Sequence, residues 1–191
     1  MKLLIYEENI HVIISWIEKP VIKIEKVENM LNKSFTIKNK LKMKVPDFTI
    51  SILVDGSTRD AFNAINNVRG WWSERISGIT DQLNQEFTYQ RKDVHKCTLK
   101  VVELKPDSKV VWLVLDNYFN FTEDKTEWAG TKIQFEVFGT GKKTQIKFTH
   151  FGLNPGFECY DICFDAWTFY IQKSLQDLIT NGKGQPNPEF E

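Results

Sequence analysis

The sequence predicts an α+β domain in which antiparallel strands form a sheet that packs against one long C-terminal helix. Apolar and polar residues alternate at Phe48–Val54 and in several stretches between Glu86 and Phe151, as in half-buried strands. Short turns such as Gly139-Thr140-Gly141 separate neighbouring strands, which favours antiparallel pairing. Apolar residues then recur every three or four positions from Tyr160 to Leu178, which predicts an amphipathic helix.

The first strand and the first helix have a well-marked boundary. Asp55-Gly56 ends the strand, and Ser57-Thr58-Arg59-Asp60 is a capping-box pattern, in which a hydroxyl and a carboxylate bond the free amides of a helix start. We expect this helix to end at Gly70, before Trp71-Trp72. Its buried face should carry Ala61, Phe62, Ile65 and Val68.

The sheet and the last helix follow in order. Strands are predicted at Glu86–Arg91, His95–Leu104, Lys109–Asp116, Thr131–Phe138 and Lys143–Phe151, with a polar loop over Asn117–Gly130. Asn154-Pro155-Gly156 precedes the helix and Asn181-Gly182 closes it, so it should have about 24 residues and a length of roughly 36 Å. Its apolar face comprises Tyr160, Cys163, Trp167, Ile171, Ser174 and Leu178.

Composition excludes several classes of function. The 191 residues include 25 basic and 25 acidic side chains, and this zero net charge argues against nucleic acid as a partner. No segment has the roughly 18–20 apolar residues of a membrane span. A signal peptide is not expected either, because Glu7 and Glu8 interrupt the apolar N-terminal stretch and no small-residue cleavage site follows it. Three cysteines do not suggest a disulfide framework, so we expect a cytoplasmic protein.

The chain divides near residue 47. Residues 1–47 have nine lysines, six acidic residues and no glycine, and no continuous apolar face. They are interpreted as an N-terminal extension. It is either a pair of strands and a helix that pack on the main domain, or a loosely packed segment. A third possibility is that the natural protein starts at Met43. Residues 48–184 form the main domain and residues 185–191 a tail.

Four stretches carry a resemblance to a known family. They are GWWSERISGITDQLNQEFTY, HKCTLKVVELKPDSKVVWLVLDN, EDKTEWAGTKIQFEV and FTHFGLNPGFECYDICFDAWTFYIQKSLQDLITNGKGQPN. In this order they resemble bacterial SRPBCC (START-like) proteins, in the subgroup described as homologues of the heat-shock-protein-90 ATPase activator. The resemblance covers about residues 48–187. It implies the helix-grip fold, a curved antiparallel sheet wrapped around a long C-terminal helix, with a cavity between them that often holds an apolar ligand.

The candidate ligand-binding residues are those expected to face this cavity. An apolar cavity with a few polar groups is what a small-molecule site needs, although the same side chains could simply fill a core. Tyr170 is expected to face the sheet as well. The candidates are Trp72, Phe87, Tyr89, His95, Cys97, Trp112, Phe135, Phe148, His150, Tyr160, Cys163 and Trp167.

Catalytic and metal-binding roles have weaker support. His95 and His150 could act as acid or base, but no nucleophile–base–orienter set can be placed, and hydrogen-bonded structural histidines are favoured. Cys159 and Cys163 are four residues apart, but a zinc site lacks its second ligand pair. We therefore predict no catalytic residue, no metal and no cofactor.

Three functions remain open. The first is binding of a small hydrophobic ligand, which would be lipid-like, aromatic or polyketide-like. The second is a chaperone-associated interaction, as the subgroup description implies. The third is a cyclase- or hydrolase-type enzyme that uses His150 or His95.

Removal of residues 1–42 should leave a folded domain, because the capped and alternating pattern begins only near Phe48. A chain that starts at Met43 should melt at nearly the same temperature as the full chain, as measured by circular dichroism. An insoluble product, or one that melts far lower, would show that the extension supplies part of the fold.

Overall fold

The structure, a computed structural model, describes residues 45–188, and its main element is a seven-stranded antiparallel sheet. Almost all of the predicted N-terminal extension, and residues 189–191 of the predicted tail, lie outside the described residues. Among residues 45–188, no helix combines the length and the apolar character that a bilayer crossing requires.

The sheet is a series of hairpins with the first strand added at one edge. Its order is β1-β7-β6-β5-β4-β3-β2, and every neighbouring pair is antiparallel. The predicted α+β helix-grip architecture is therefore confirmed. The strands are β1 Phe48–Asp55, β2 Ser77–Gly78, β3 Glu86–Arg91, β4 His95–Lys105, β5 Lys109–Phe119, β6 Lys132–Thr140 and β7 Lys143–Phe151.

Strand β5 runs three residues further than the predicted end at Asp116. Asn117 lies opposite Cys97 in the β4–β5 register, so this polar residue belongs to the strand rather than to the loop. The β4–β5 pairing shifts at Thr98/Leu99 and again at Val101/Glu103. Such irregularities bend strands, which helps the sheet to curve over the helix.

Two helices connect β1 to β2: α1 over Thr58–Asn66 and α2 over Val68–Trp71. The predicted capping box is present, because Asp60 N–H donates to Ser57 Oγ at 3.1 Å and Ser57 N–H donates to the Asp60 carboxylate at 3.0 Å. The predicted end at Gly70 is wrong. Asn67 has non-helical backbone angles and ends α1, and Gly70 lies inside α2.

The C-terminal helix is continuous but has a π-helical segment at its centre. It consists of α3 Tyr160–Phe169, a π segment Tyr170–Leu175 and α4 Gln176–Asn181. Gly182 follows with a φ of 74°, the left-handed conformation that commonly ends helices. The wider π turn buries four side chains, those of Tyr170, Ile171, Ser174 and Leu175.

The chain after this helix returns to the domain and bonds to it. Ser174 Oγ donates to the Trp71 carbonyl at 2.6 Å and accepts from Gln185 N–H at 2.6 Å. Asn187 N–H donates to the Trp72 carbonyl at 3.0 Å. A Cβ on Gly184 would lie 2.3 Å from the Gly70 carbonyl oxygen, so this close backbone approach requires glycine.

Ser174→Ala should lower the free energy of unfolding by about 1–3 kcal/mol, because it leaves the Trp71 carbonyl and the Gln185 N–H without their buried partner. Chemical denaturation measures the change. Thr180→Ala is the matched control, because Thr180 makes a similar bond on the exposed side of α4, and we expect less than about 0.5 kcal/mol there. Equal effects of the two changes would contradict the assigned role of Ser174.

Candidate ligand-binding site

Five tryptophans fill most of the space between the sheet and the C-terminal helix. We call Trp71, Trp72, Trp112, Trp128 and Trp167 the tryptophan cluster; all five are buried. The Trp72 ring lies 5.0 Å from Trp167 and 6.4 Å from Trp112, and Trp128 stacks on Trp167 at 5.8 Å. The centre of the domain is therefore packed with indole rings, and a small free space lies beside the cluster.

That free space is a cavity of about 80 Å³ between the β3–β4 hairpin, the β5–β6 loop and α3. Its exposed lining side chains, Arg91, Phe121, Ile162 and Ala166, form a rim that opens to solvent. The volume is below the roughly 300–1,000 Å³ of pockets for drug-sized ligands. The remaining lining residues are Trp72, Tyr89, Val94, His95, Phe119, Trp128, Cys163, Trp167 and Tyr170.

The sequence-predicted candidates divide into three groups. Those that line the cavity are Trp72, Tyr89, His95, Cys163 and Trp167. Those buried in the core outside it are Phe87, Cys97, Trp112, Phe135, Phe148 and His150. Tyr160 is half-buried and packs against Phe164, away from the cavity.

Sequence reasoning missed the whole rim and the loop that closes the cavity. Phe119, Phe121 and Trp128 lie in the stretch interpreted as a polar loop. With Tyr118 they make four aromatic residues in that stretch, a signal that could have identified them. No sequence signal identified the rim residues Arg91, Ile162 and Ala166, or Val94 beside them, because their place at the cavity depends on how the hairpin meets α3.

The β5–β6 loop is attached to the start of α3 by two carboxylates. Glu127 accepts from the backbone N–H groups of Glu158, at 2.5 Å, and Cys159, at 2.9 Å, which satisfies free amides at the helix start. Glu158 in turn accepts from the N–H of Glu123 at 2.5 Å. These bonds hold the loop, and with it Phe121 and Trp128, against the helix.

His150 is completely buried and held in one neutral form. Trp167 Nε1–H donates to its Nδ1 at 3.2 Å, and its Nε2 lies 2.9 Å from Thr131 Oγ1. Because Thr131 donates its own proton to the Trp128 carbonyl at 2.6 Å, the histidine carries its proton on Nε2. Burial lowers the pKa of His150 to about 3. With both nitrogens occupied, His150 is a structural hydrogen-bonding residue.

His95 lines the cavity and is also neutral. Asn117 donates to the Lys125 carbonyl at 3.2 Å, so its amide oxygen accepts from His95 Nε2–H at 3.0 Å. Nδ1 is therefore left as an acceptor. Burial, with a further contribution from the Arg91 charge, lowers the pKa of His95 to about 4 despite the opposing effect of Asn117.

The other titratable groups of the cavity are uncharged apart from Arg91. Burial raises the pKa of the Tyr89 hydroxyl, which accepts a hydrogen bond from Asn187 Nδ2 at 2.9 Å. A hydrogen bond with Cys159 and burial raise the pKa of the Cys163 thiol. Within residues 45–188, no three His, Cys, Asp or Glu side chains are grouped so that they could hold a metal ion.

A wider surface depression of about 670 Å³ lies elsewhere, between α1 and the segment after β2. Much of its lining is polar and includes Asn63, Asn66, Asn67 and Arg69. It lacks the enclosing aromatic walls of the cavity, and it is therefore a weaker candidate for holding an apolar molecule.

His95, which is half-buried, and His150, which is buried, should make stability depend on pH. Their folded-state pKa values, about 4 and about 3, lie below the unfolded value of about 6.5, so the unfolded chain takes up protons first. The free energy of unfolding should fall as the pH drops below about 6.5, by up to about 1.4 kcal/mol per pH unit for each histidine.

Urea denaturation between pH 7 and pH 5 measures this slope above the range in which carboxylates titrate. His95→Gln retains a donor for Asn117 and should reduce the slope by about half. A stability that does not change between pH 7 and pH 5 would contradict the neutral state of both residues.

Comparisons with known proteins identify the fold. No family model matches the chain, and no curated protein matches it. The structure is similar to the solution structure of the Aha1 dimer from Colwellia psychrerythraea, with 23% sequence identity and a TM-score of 0.59, over 73% of this chain and 99% of that one.

Two further solved structures have lower sequence identity. CalU16 from Micromonospora echinospora has 12% identity and a TM-score of 0.51, over 72% of this chain and 76% of that one. DynU16, from the dynemicin biosynthetic locus, has 13% identity and a TM-score of 0.52, over 73% of this chain and 49% of that one. The described residues thus have the helix-grip fold that the sequence resemblance implied.

Proposed function

We propose that the domain binds a small aromatic or apolar molecule, which enters the cavity past the rim and lies against the tryptophan cluster. The observation that carries this proposal is the cavity wall, in which rings from the sheet, the loop and the helix surround a space that opens to solvent. Concave, mostly apolar sites with a few polar groups are typical of small-molecule binding.

The size of the cavity limits the ligand. A volume of about 80 Å³ suits one ring or a short chain, with the rest of the molecule at the rim. Burial of roughly 150 Å² of apolar surface contributes about 4 kcal/mol at about 25 cal/mol per Å². Apolar contact alone then corresponds to a dissociation constant of about 1 mM, so a physiological ligand needs polar contacts as well.

Two polar groups are suited to orient a ligand. The buried Nε1–H of Trp128 has only the Cys163 sulfur, a weak acceptor outside regular hydrogen-bond geometry, beside it among the described residues, and a ligand oxygen could accept from it. His95 Nδ1 is an acceptor on the same wall. The geometry favours binding over catalysis, because His95 is neutral with a low pKa and His150 is occupied on both nitrogens.

A chaperone-associated role is the second candidate function. The observation that favours it is the likeness to Aha1, at 23% identity over nearly the whole of that chain. Exposed apolar side chains on α3, Ile162 and Phe169, would supply the contact surface. A stable complex between this domain and heat-shock-protein-90, lost on Phe169→Ser, would favour this role over ligand binding.

Titration with 2-phenylethanol, a neutral aromatic probe, tests the first proposal. Trp72, Trp128 and Trp167 line the cavity, so binding should change tryptophan emission saturably, with one site per domain. Ala166→Phe places a ring at the rim and should weaken binding at least about tenfold, because the added ring competes for the same space.

Gln172→Phe is the matched control, because this exposed helix position does not line the cavity, and it should leave binding unchanged. Native mass spectrometry of gently purified protein should in addition detect one bound small molecule. The proposal is wrong if emission does not respond to the probe, or if both phenylalanine variants bind it like the parent protein.

A further inference from the structure

We propose that the ligand is a carboxylate: a small molecule whose apolar or aromatic end enters the cavity while its carboxylate binds the Arg91 guanidinium at the rim. This inference rests on the proposed ligand-binding function and names the chemical class of the ligand. Arg91 would then be the residue that selects for charge, whereas the aromatic walls select for shape.

Arg91 lies at the point where two surface features meet. It is the last residue of β3, and it lines both the cavity and an adjoining depression of about 300 Å³. Val94 is also shared by both linings. A molecule that extends out of the cavity therefore passes Arg91 as it enters the depression.

Within residues 45–188, no carboxylate pairs with Arg91. Arg59, by contrast, lies 3.5 Å from the Asp107 carboxylate, and Arg69 donates to the Gly78 carbonyl at 3.0 Å. Arg91 has no such contact, yet its charge affects His95, Tyr89 and Tyr170, three residues of the cavity wall. The guanidinium is thus close to the cavity and available for an anion.

The surroundings of Arg91 have the charge that an anion requires. Neither the cavity nor the depression is lined by an aspartate or a glutamate, and Lys92 joins Arg91 in lining the depression. Asp93 follows in the same turn but lines neither of them. A ligand carboxylate would therefore meet cationic side chains on leaving the aromatic walls.

The geometry of the guanidinium favours a carboxylate. Its planar set of N–H donors matches the two oxygens of a carboxylate, and such charge-assisted pairs are stronger than neutral hydrogen bonds. The ion pair between Arg91 and the ligand carboxylate would supply the polar contact that a ligand needs, because the small apolar area alone gives only weak binding. Because Arg91 is exposed, solvent and salt weaken the attraction, and we expect a moderate gain in affinity.

The test compares phenylacetate with two probes, each of which lacks one of its two features. Phenylacetate has the ring and the carboxylate, 2-phenylethanol has the ring with a neutral hydroxyl, and acetate has the carboxylate alone. Followed by tryptophan emission at low salt, phenylacetate should bind about tenfold more tightly than either of the others. The preference over 2-phenylethanol should decrease as sodium chloride is added.

Three arginine variants separate this inference from a general charge effect. Arg91→Gln should bind phenylacetate and 2-phenylethanol equally, and its melting temperature should be unchanged because the side chain is exposed. Arg59→Gln removes the same charge at a position outside both linings and should retain the full preference for phenylacetate. Arg91→Lys should retain part of it.

Different failures have different meanings. If both aromatic probes bind equally in the parent protein, or if Arg91→Gln keeps the preference for phenylacetate, the carboxylate inference is wrong and the ligand-binding proposal stands. If acetate binds as tightly as phenylacetate, Arg91 belongs to an anion site without a role for the cavity, and the inference is wrong. If neither aromatic probe binds, both proposals are wrong.

Discussion

The packing of Trp72 between the sheet and the C-terminal helix is the interaction on which the rest of this structure depends. Its ring stacks on Tyr89 of β3 at 4.5 Å and meets Trp167 of α3 at 5.0 Å, and it comes from the short segment that follows α2. Aromatic rings bury large areas, so this contact contributes strongly to holding three parts of the chain together. It also sets the distance between sheet and helix, and the cavity is the space that remains at one end.

A chain of hydrogen bonds connects the same parts through polar atoms. Trp167 donates to His150, His150 donates to Thr131, and Thr131 donates to the Trp128 carbonyl. Every donor in this chain has its acceptor only while His150 is neutral, which agrees with its low pKa. The position of His150 in the core therefore has a structural explanation. Its two ring nitrogens form hydrogen bonds that orient the indole rings of Trp167 and Trp128.

The candidate site combines this rigid wall with a less buried rim. Glu127 and Glu158 join the β5–β6 loop to the start of α3, so that Phe121 and Trp128 stand opposite the β3–β4 hairpin. Arg91 lies on that hairpin and has no carboxylate partner among the described residues. An amphipathic anion needs an apolar space for one end and a cation for the other. The aromatic cavity supports the ligand-binding proposal, and Arg91 at its rim supports the proposal that the ligand is a carboxylate.

The sequence by itself determined the class of the domain, the places of six of its seven strands along the chain and the face of its C-terminal helix. These features follow from local patterns: alternation in strands such as β6 and β7, the capping box at Ser57, and apolar spacing from Cys163 to Leu178. Local patterns also showed which side chains point inward, among them Trp112, Phe148 and Trp167.

Only the tertiary structure decided which inward side chains line a cavity and which fill the core. Trp112 and Trp72 both point inward, but Trp112 is enclosed by Trp71, Phe87 and Phe135, whereas Trp72 borders free space. The difference depends on where the β5–β6 loop and the hairpin meet α3. Such long-range contacts have no periodic signature in the sequence, and for that reason Arg91 and Trp128 could be assigned to the site only from the folded chain.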